Sequence, residues 1–270
     1  MRLAAEAVNP MEEILREFDL SSPHAQNFFG INLAPVNHVL KQIPLPFDIT
    51  INKAVVIMWL AAILSFTLIA YAGRGRGLVA KGLKNAMEAI FQFIKLDVVD
   101  DNLGDAGRTW LPFIGGLFFF ILFNNLLGLI PAGFSPGSNI NFTASLAIMV
   151  FLSVLMAGMK KQGPVKYWVN LAPGGLPKWI YIILYPIEFI SLLAKPFSLA
   201  VRLFANLLAG HIVIASLLAL IILFGVWLAP VSVVIAVIMY AFEIFVAFIQ
   251  AYIFAILASV YIGASVHPEH

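Results

Sequence analysis

Apolar residues run through this chain in blocks too long and too unbroken for a water-soluble core. The first block is Ala54–Ala72. About 18 or more consecutive apolar residues are enough for a helix to cross the hydrocarbon layer. Trp110–Ile130 and Phe142–Met159 are the second and third blocks. Two longer ones close the chain, Trp179–Phe224 and Val231–Val266, separated by the uncharged stretch Gly225–Pro230. Between the first and second blocks the pattern changes. Leu83, Met87, Ile90, Ile94 and Val98 recur at helical spacing, with Lys84, Glu88, Gln92 and Lys95 on the other side. That alternation predicts an amphipathic helix over 83–99, lying in the membrane interface. A peripheral packing helix fits it equally. The pattern as a whole predicts an all-α polytopic membrane protein. It has five membrane-crossing helices, about 54–72, 110–130, 142–159, 179–224 and 231–266, plus the interfacial helix.

Residues 1–50 read differently. They are polar and carry Pro10, Pro23, Pro35, Pro44 and Pro46, with room for one short helix over Met11–Phe18. We read them as an N-terminal surface segment and 51–270 as a single membrane domain. The basic-then-apolar pattern of a signal peptide is not at the N-terminus.

Composition agrees with the pattern. Of 270 residues 61% are hydrophobic and 11% charged, against about 25% charge in a soluble domain, and 23 are Phe; the mean hydropathy is +0.96. A net charge of +2 is too small to suggest nucleic acid as a partner. Without cysteine there is no disulfide framework, thiolate metal site or cysteine nucleophile. The placement of charge says more. Arg74, Arg76, Lys81 and Lys84 follow the first block, and Lys160, Lys161, Lys166 and Lys178 follow the third. The loops near 131–139 and 225–230 carry none. The positive-inside rule puts the basic loops on the cytoplasmic side, or its organellar equivalent. Five crossings then leave the N-terminus outside and His267–His270 inside.

The last two blocks carry the chemistry. Glu188, Lys195 and Arg202 are spaced by seven and lie on nearly one helix face. Ser191, Ser198 and Asn206 share that stripe. An arginine deep in a membrane helix costs roughly 2.5–3.5 kcal/mol and marks a functional site by default. A structural arginine, paired or reaching to the interface, is the alternative. Glu243 and Gln250 are also seven apart. Folded as an antiparallel hairpin, the two blocks bring facing residues to a constant sum of numbers. That sum is 452 for Arg202 with Gln250 and 454 for His211 with Glu243. Half of either falls inside the turn at 225–230. Such pairs would satisfy polar groups in lipid. Arg202 lies 24 residues before Val226, about 36 Å along a helix. Reaching only the midplane over that length requires a tilt of roughly 65° from the normal. A strongly tilted hairpin presents a long flank to a neighbour in the membrane, which points to a partner subunit.

At these residues the chain resembles subunit a of F-type ATP synthases. Lys195–His211 (KPFSLAVRLFANLLAGH) carries the resemblance, supported by Asn125–Pro131 (NLLGLIP), Glu243, Gln250 and the terminal Glu269-His270. It covers the chain from about Ile51 onward. It implies a non-catalytic stator subunit beside a rotating ring of c subunits, with peripheral-stalk b subunits and the remaining synthase subunits as partners. It also implies a bacterial inner membrane location, no cofactor and no metal. Two half-channels would lead protons to and from a carboxylate on each ring subunit. Arg202 matches the family's essential arginine, and a fixed cation favours proton release from a facing carboxylate. It would also block direct leakage between half-channels. Asn206, His211, Glu243 and Gln250 match the half-channel open to the outside. Glu188 matches an acidic position in the cytoplasmic funnel, and Asn125 a polar position near the outer channel. Many bacterial members have an acid at His211 and a histidine at Glu243; here the two are exchanged, as in mitochondrial members. Gly128 stands where some relatives carry an acid, so no proton role is assigned to it.

Without the resemblance, Asn124 and Asn125 read as interhelical glue and Gly210 as a site of close helix approach; for His211 a hydrogen-bonded packing role is the alternative to its pair with Glu243. Lys195 reads as snorkelling or as orienting lipid and Glu188. A secondary transporter, or a channel with an intramembrane arginine site, is the other class. The repeats expected of a transporter are not visible between the halves. H-E-x-x-H is absent, and the one G-x-S-x-G, Gly133-Phe134-Ser135-Pro136-Gly137, has no His–Asp set accompanying it in the spans to support a hydrolase.

Overall fold

The computed structural model describes residues 27–28, 31–32, 34, 37, 52–73, 83–130, 135–171 and 178–266. The short helix expected over 11–18 lies outside the described residues, as do His267–His270. In the N-terminal segment Asn27–Phe28 (β1) pairs antiparallel with Ile31–Asn32 (β2). Among the described residues everything else of regular structure is helical, and five helical runs are long and apolar enough to cross a membrane. This is an all-α polytopic membrane protein.

Helix α1 spans Lys53–Gly73. Asn52 starts it, its side-chain oxygen accepting the Val55 N–H at 3.1 Å, the usual way an Asn caps orphan donors. A second helical run covers 83–128 but changes character several times. Helix α2 (Leu83–Phe93) passes into a π-helix at Ile94–Asp100, then one α turn at Asp101–Leu103 and a 3₁₀ turn at Gly104–Ala106. Gly104 at φ +51° breaks the run, a conformation glycine adopts at little cost. Helix α3 follows at Gly107–Gly128.

The amphipathic stretch packs against protein. Met87, Ile94, Val98 and Val99 are buried, while Glu88, Gln92 and Lys95 are exposed. Phe91 stacks on Phe119 of α3 with ring centres 5.8 Å apart. Phe93 meets Tyr252, and Ser259 Oγ donates to Val98 O at 2.6 Å. Of the two readings of 83–99, the packing helix describes its apolar face.

Helix α4 runs Ile140–Gln162 and buries Thr143, Leu146, Ala147, Val150, Val154 and Ala157, a three-and-four spacing that makes one covered stripe. Helix α5 is short, Pro164–Val169. The closing helices are α6, Lys178–Phe224 with 47 residues, and α7, Ala229–Val266 with 38. At 1.5 Å per residue they measure roughly 70 and 57 Å, about twice the ~30 Å hydrocarbon layer. Pro186 and Pro196 lie inside α6 without ending it. Gly225, at φ +85°, and a 3₁₀ turn at Val226–Leu228 join α6 to α7. Along α7 Ala247, Ala251, Ala255 and Ala258 are wholly buried, small residues that let backbones approach closely.

The chain divides into two compact units. One comprises Met1–Ile63, Leu122–Asn139 and Ala205–Phe248; the other comprises Leu64–Ile121, Ile140–Phe204 and Ile249–His270. The first thus takes the turn end of α6 and α7, and the second their open ends.

Candidate functional site

In the unit holding the turn, Glu243 and Gly210 settle the pairing of the two long helices. A β-carbon on Gly210 would collide with the Glu243 carboxylate oxygen Oε1, and would stand 2.8 Å from Cδ. Their numbers sum to 453, between the 452 and 454 read from the polar pairs. The unit boundaries, 204/205 on α6 and 248/249 on α7, have the same sum. The antiparallel register therefore holds, and it assigns Gly210 a narrower task than general close packing: it makes room for the Glu243 carboxyl.

Glu243 is 5% exposed, and neither carboxylate oxygen has a hydrogen-bond partner in the protein. The direct His211–Glu243 hydrogen bond that the register suggests is therefore not made. His211 is half-buried at the same level of the hairpin. Asn125 on α3 is buried and reaches α7, its Nδ2 donating to Ala247 O at 3.4 Å, one helical turn beyond Glu243. The Asn125 carbonyl oxygen Oδ1 has no partner. Asn206, one turn after Arg202, is exposed.

A feature not legible in the sequence completes this unit. Ser135, Pro136, Gly137 and Ser138 are all buried, folded back in a 3₁₀ turn. A β-carbon on Gly128 would stand 2.6 Å from Ser135 Cα and Cβ. One on Gly137 would run into Leu207 Cδ1 and lie 3.5 Å from Asn125 Oδ1. The sequence marked 131–139 only as an uncharged loop; Ser-Pro-Gly-Ser was its one turn signal.

The second unit holds Glu188, Lys195, Arg202 and Gln250. Glu188 and Lys195 are half-buried and line a cavity of about 600 Å³, together with Asp101, Gln162, Asn170 and Tyr261. Lys195 Nζ sits 5.6 Å from the centre of the Tyr261 ring, a cation–π contact. One wall is tied by hydrogen bonds. Asn170 Nδ2 donates to Gln162 Oε1, Gln162 Nε2 to Ser265 O, and Ser265 Oγ to Val154 O, at 3.1, 2.9 and 2.9 Å. Nothing in the sequence singled out Gln162, Asn170 or Ser265, because each is an ordinary polar residue at a helix end. Arg202, seven residues after Lys195, is exposed; a seven-residue repeat drifts by about 20° per step. Gln250 is buried at 6% exposure, and no hydrogen bond joins it to Arg202. No group of three or more His, Cys, Asp or Glu able to hold a metal occurs among the described residues.

An exposed guanidinium on one long apolar helix and a buried carboxyl on the next accompany a clear family match. The model of the ATP synthase A chain matches residues 55–263. The chain belongs to the ATP synthase A chain family. ATP synthase subunit a of Chloroherpeton thalassium is 43% identical over 231 residues, 83% of this chain and 69% of that protein. ATP synthase subunit a of Chlorobium phaeobacteroides is 42% identical, covering 83% and 68%. ATP synthase subunit a 2 of Chlorobium luteolum is 40% identical over 262 residues, covering 93% and 76%. Membership in this family makes the chain an integral membrane component of an ATP synthase complex.

Proposed function

We propose that the chain is the stator subunit that passes protons to and from a rotating c ring through two half-channels, coupling their flow to ATP synthesis. The observation that carries this reading is Arg202: a cation on the exposed face of a 47-residue apolar helix, with no ion pair among the described residues. An intramembrane charge without an ion pair among the described residues calls for a partner charge from outside, and a ring carboxylate is that partner. Glu243, Asn125, His211 and Asn206 serve the outer half-channel, where buried oxygen atoms without protein partners suit passing protons and water. Gln250 lines the approach to Arg202. Glu188, in the 600 Å³ cavity, serves the cytoplasmic funnel.

In this reading the subunit performs no chemistry on a nucleotide. Its partners are the c ring, the peripheral-stalk b subunits and the remaining synthase subunits. It resides in a bacterial inner membrane with the N-terminal segment outside and the C-terminus in the cytoplasm. Two helices of roughly 70 and 57 Å fit a ~30 Å layer only if strongly tilted, which lays their flank along the ring.

The test is purification of the intact complex and reconstitution into vesicles in sodium-free buffer. Co-purification of a c ring, with ATP-driven proton uptake, is expected. A complex without a ring, or one silent until sodium is added, would overturn the reading in its partner or its ion.

A further inference from the structure

We propose that Ser135, in the buried 3₁₀ turn before α4, is a further proton-route residue: its hydroxyl joins Asn125 Oδ1 in a hydrated path leading toward Glu243. The inference rests on the outer half-channel reading and extends it to a segment without a single charge.

The argument begins with orphaned oxygen atoms. Ser135 is 3% exposed, Asn125 1% and Glu243 5%. Ser135 Oγ, Asn125 Oδ1 and both Glu243 oxygens have no hydrogen-bond partner in the protein. Buried polar atoms are nearly always satisfied, so an unsatisfied group requires an explanation. Four such atoms on three residues of one compact unit require a common one.

Their placement supplies it. Asn125 and Gly128 are three apart on α3 and share a face. Ser135 sits against Gly128, and Gly137 brings the same turn within reach of Asn125 Oδ1 and Leu207. Asn125 Nδ2 reaches Ala247 O, four residues from Glu243 on the same face of α7. Glu243 in turn fills the space that Gly210 leaves. The orphaned atoms therefore follow one another from the turn, along α3, to α7. Ser138 cannot take the part of Ser135, because its hydroxyl is spent on Ser135 O at 2.7 Å. A serine hydroxyl suits this task because it donates one proton and accepts on two lone pairs. It takes a proton from one water and releases its own to the next, so it ends unchanged and no charge is left behind.

The test uses the intact complex in vesicles and the absence of native cysteine. Ser135→Ala should slow passive proton flux about fivefold to tenfold, the rate equivalent of one lost hydrogen bond. The content of assembled complex and its Tm should stay unchanged. Ser135→Cys should retain more flux than Ser135→Ala. Its thiol should react with silver ion, which then stops the flux, whereas Ser138→Cys should bind silver without loss of flux. Glu243→Gln is measured alongside. If Glu243→Gln blocks flux while Ser135→Ala conducts normally and Ser135→Cys ignores silver, the inference about Ser135 is wrong and the half-channel stands. If Glu243→Gln conducts normally, the half-channel reading itself fails.

Discussion

Glycines show most clearly how a single atom decides between function and stability. A β-carbon at Gly210 meets the far end of the flexible Glu243 side chain, whereas one at Gly263 meets the backbone oxygen of Asn102 and comes within 3.2 Å of its carbonyl carbon. The first obstacle can swing away; the second cannot. Gly210→Ala should therefore leave Tm nearly unchanged and slow proton flux severalfold. Gly263→Ala should lower stability by about 1–3 kcal/mol, the usual cost of overpacking, as read by thermal denaturation of the purified complex. Arg202 belongs to the same scale. Arg202→Ala should abolish proton-driven ATP synthesis while the complex still assembles. Arg202→Lys should be severely impaired, because an ammonium lacks the planar fork of the guanidinium. Synthesis and passive permeability in reconstituted vesicles measure both, and near-normal synthesis in Arg202→Ala would remove the central residue of the mechanism. Arg202, Glu243 and Gln250 were legible as sequence because charged and amide groups are rare in apolar helices. Ser135 was not, and Gly210 was legible only as a site of close helix approach, since a serine in a loop and a glycine in a helix acquire their particular meaning only from what packs on them.

Elements were legible in proportion to their length. The hairpin register followed from four polar residues and was met by the Gly210–Glu243 contact. The stretch 83–99 was read as amphipathic correctly, but its periodicity cannot say whether water, lipid or protein covers the apolar side; Phe91, Phe93 and Val98 find protein. The π and 3₁₀ interruptions of this run had no sequence signal beyond Gly104. Two predictions belong here. With α6 and α7 strongly tilted, cysteines placed singly between Asn206 and Leu220 should cross-link to the ring's outer helix along an extended, slanted track; a track confined to one short depth would mean an upright helix. The register also puts His211 and Glu243 at one level without a direct hydrogen bond, so their coupling should pass through water. The double exchange His211→Glu with Glu243→His should then recover more ATP-driven pumping than either single exchange. Losses that simply add would show the two residues to be independent.

For the whole molecule, the distribution of lysine and arginine predicts the side of every loop at once. Single cysteines at Gly163 and at Trp227 should label from opposite sides of the membrane with an impermeant maleimide. The first should react in inverted vesicles and the second in right-side-out cells; labelling of both from one side would break the five-crossing topology. The division into two units was not legible. It depends on where α6 and α7 are cut crosswise, and no property of Phe204 or Phe248 announces a boundary.

The π-helix at Ile94–Asp100 has a bearing on how this chain tolerates change in length. Such a bulge amounts to one residue more than a regular helix needs. Removing one residue there should let the bulge close into regular α-helix and leave Phe91 beside Phe119. Removing one residue from the regular helix Gly107–Gly128 has no such outlet, and would turn everything before the cut by about 100° relative to everything after it. Residues 94–100 are therefore the place where this run can lose a residue and keep both flanks in register.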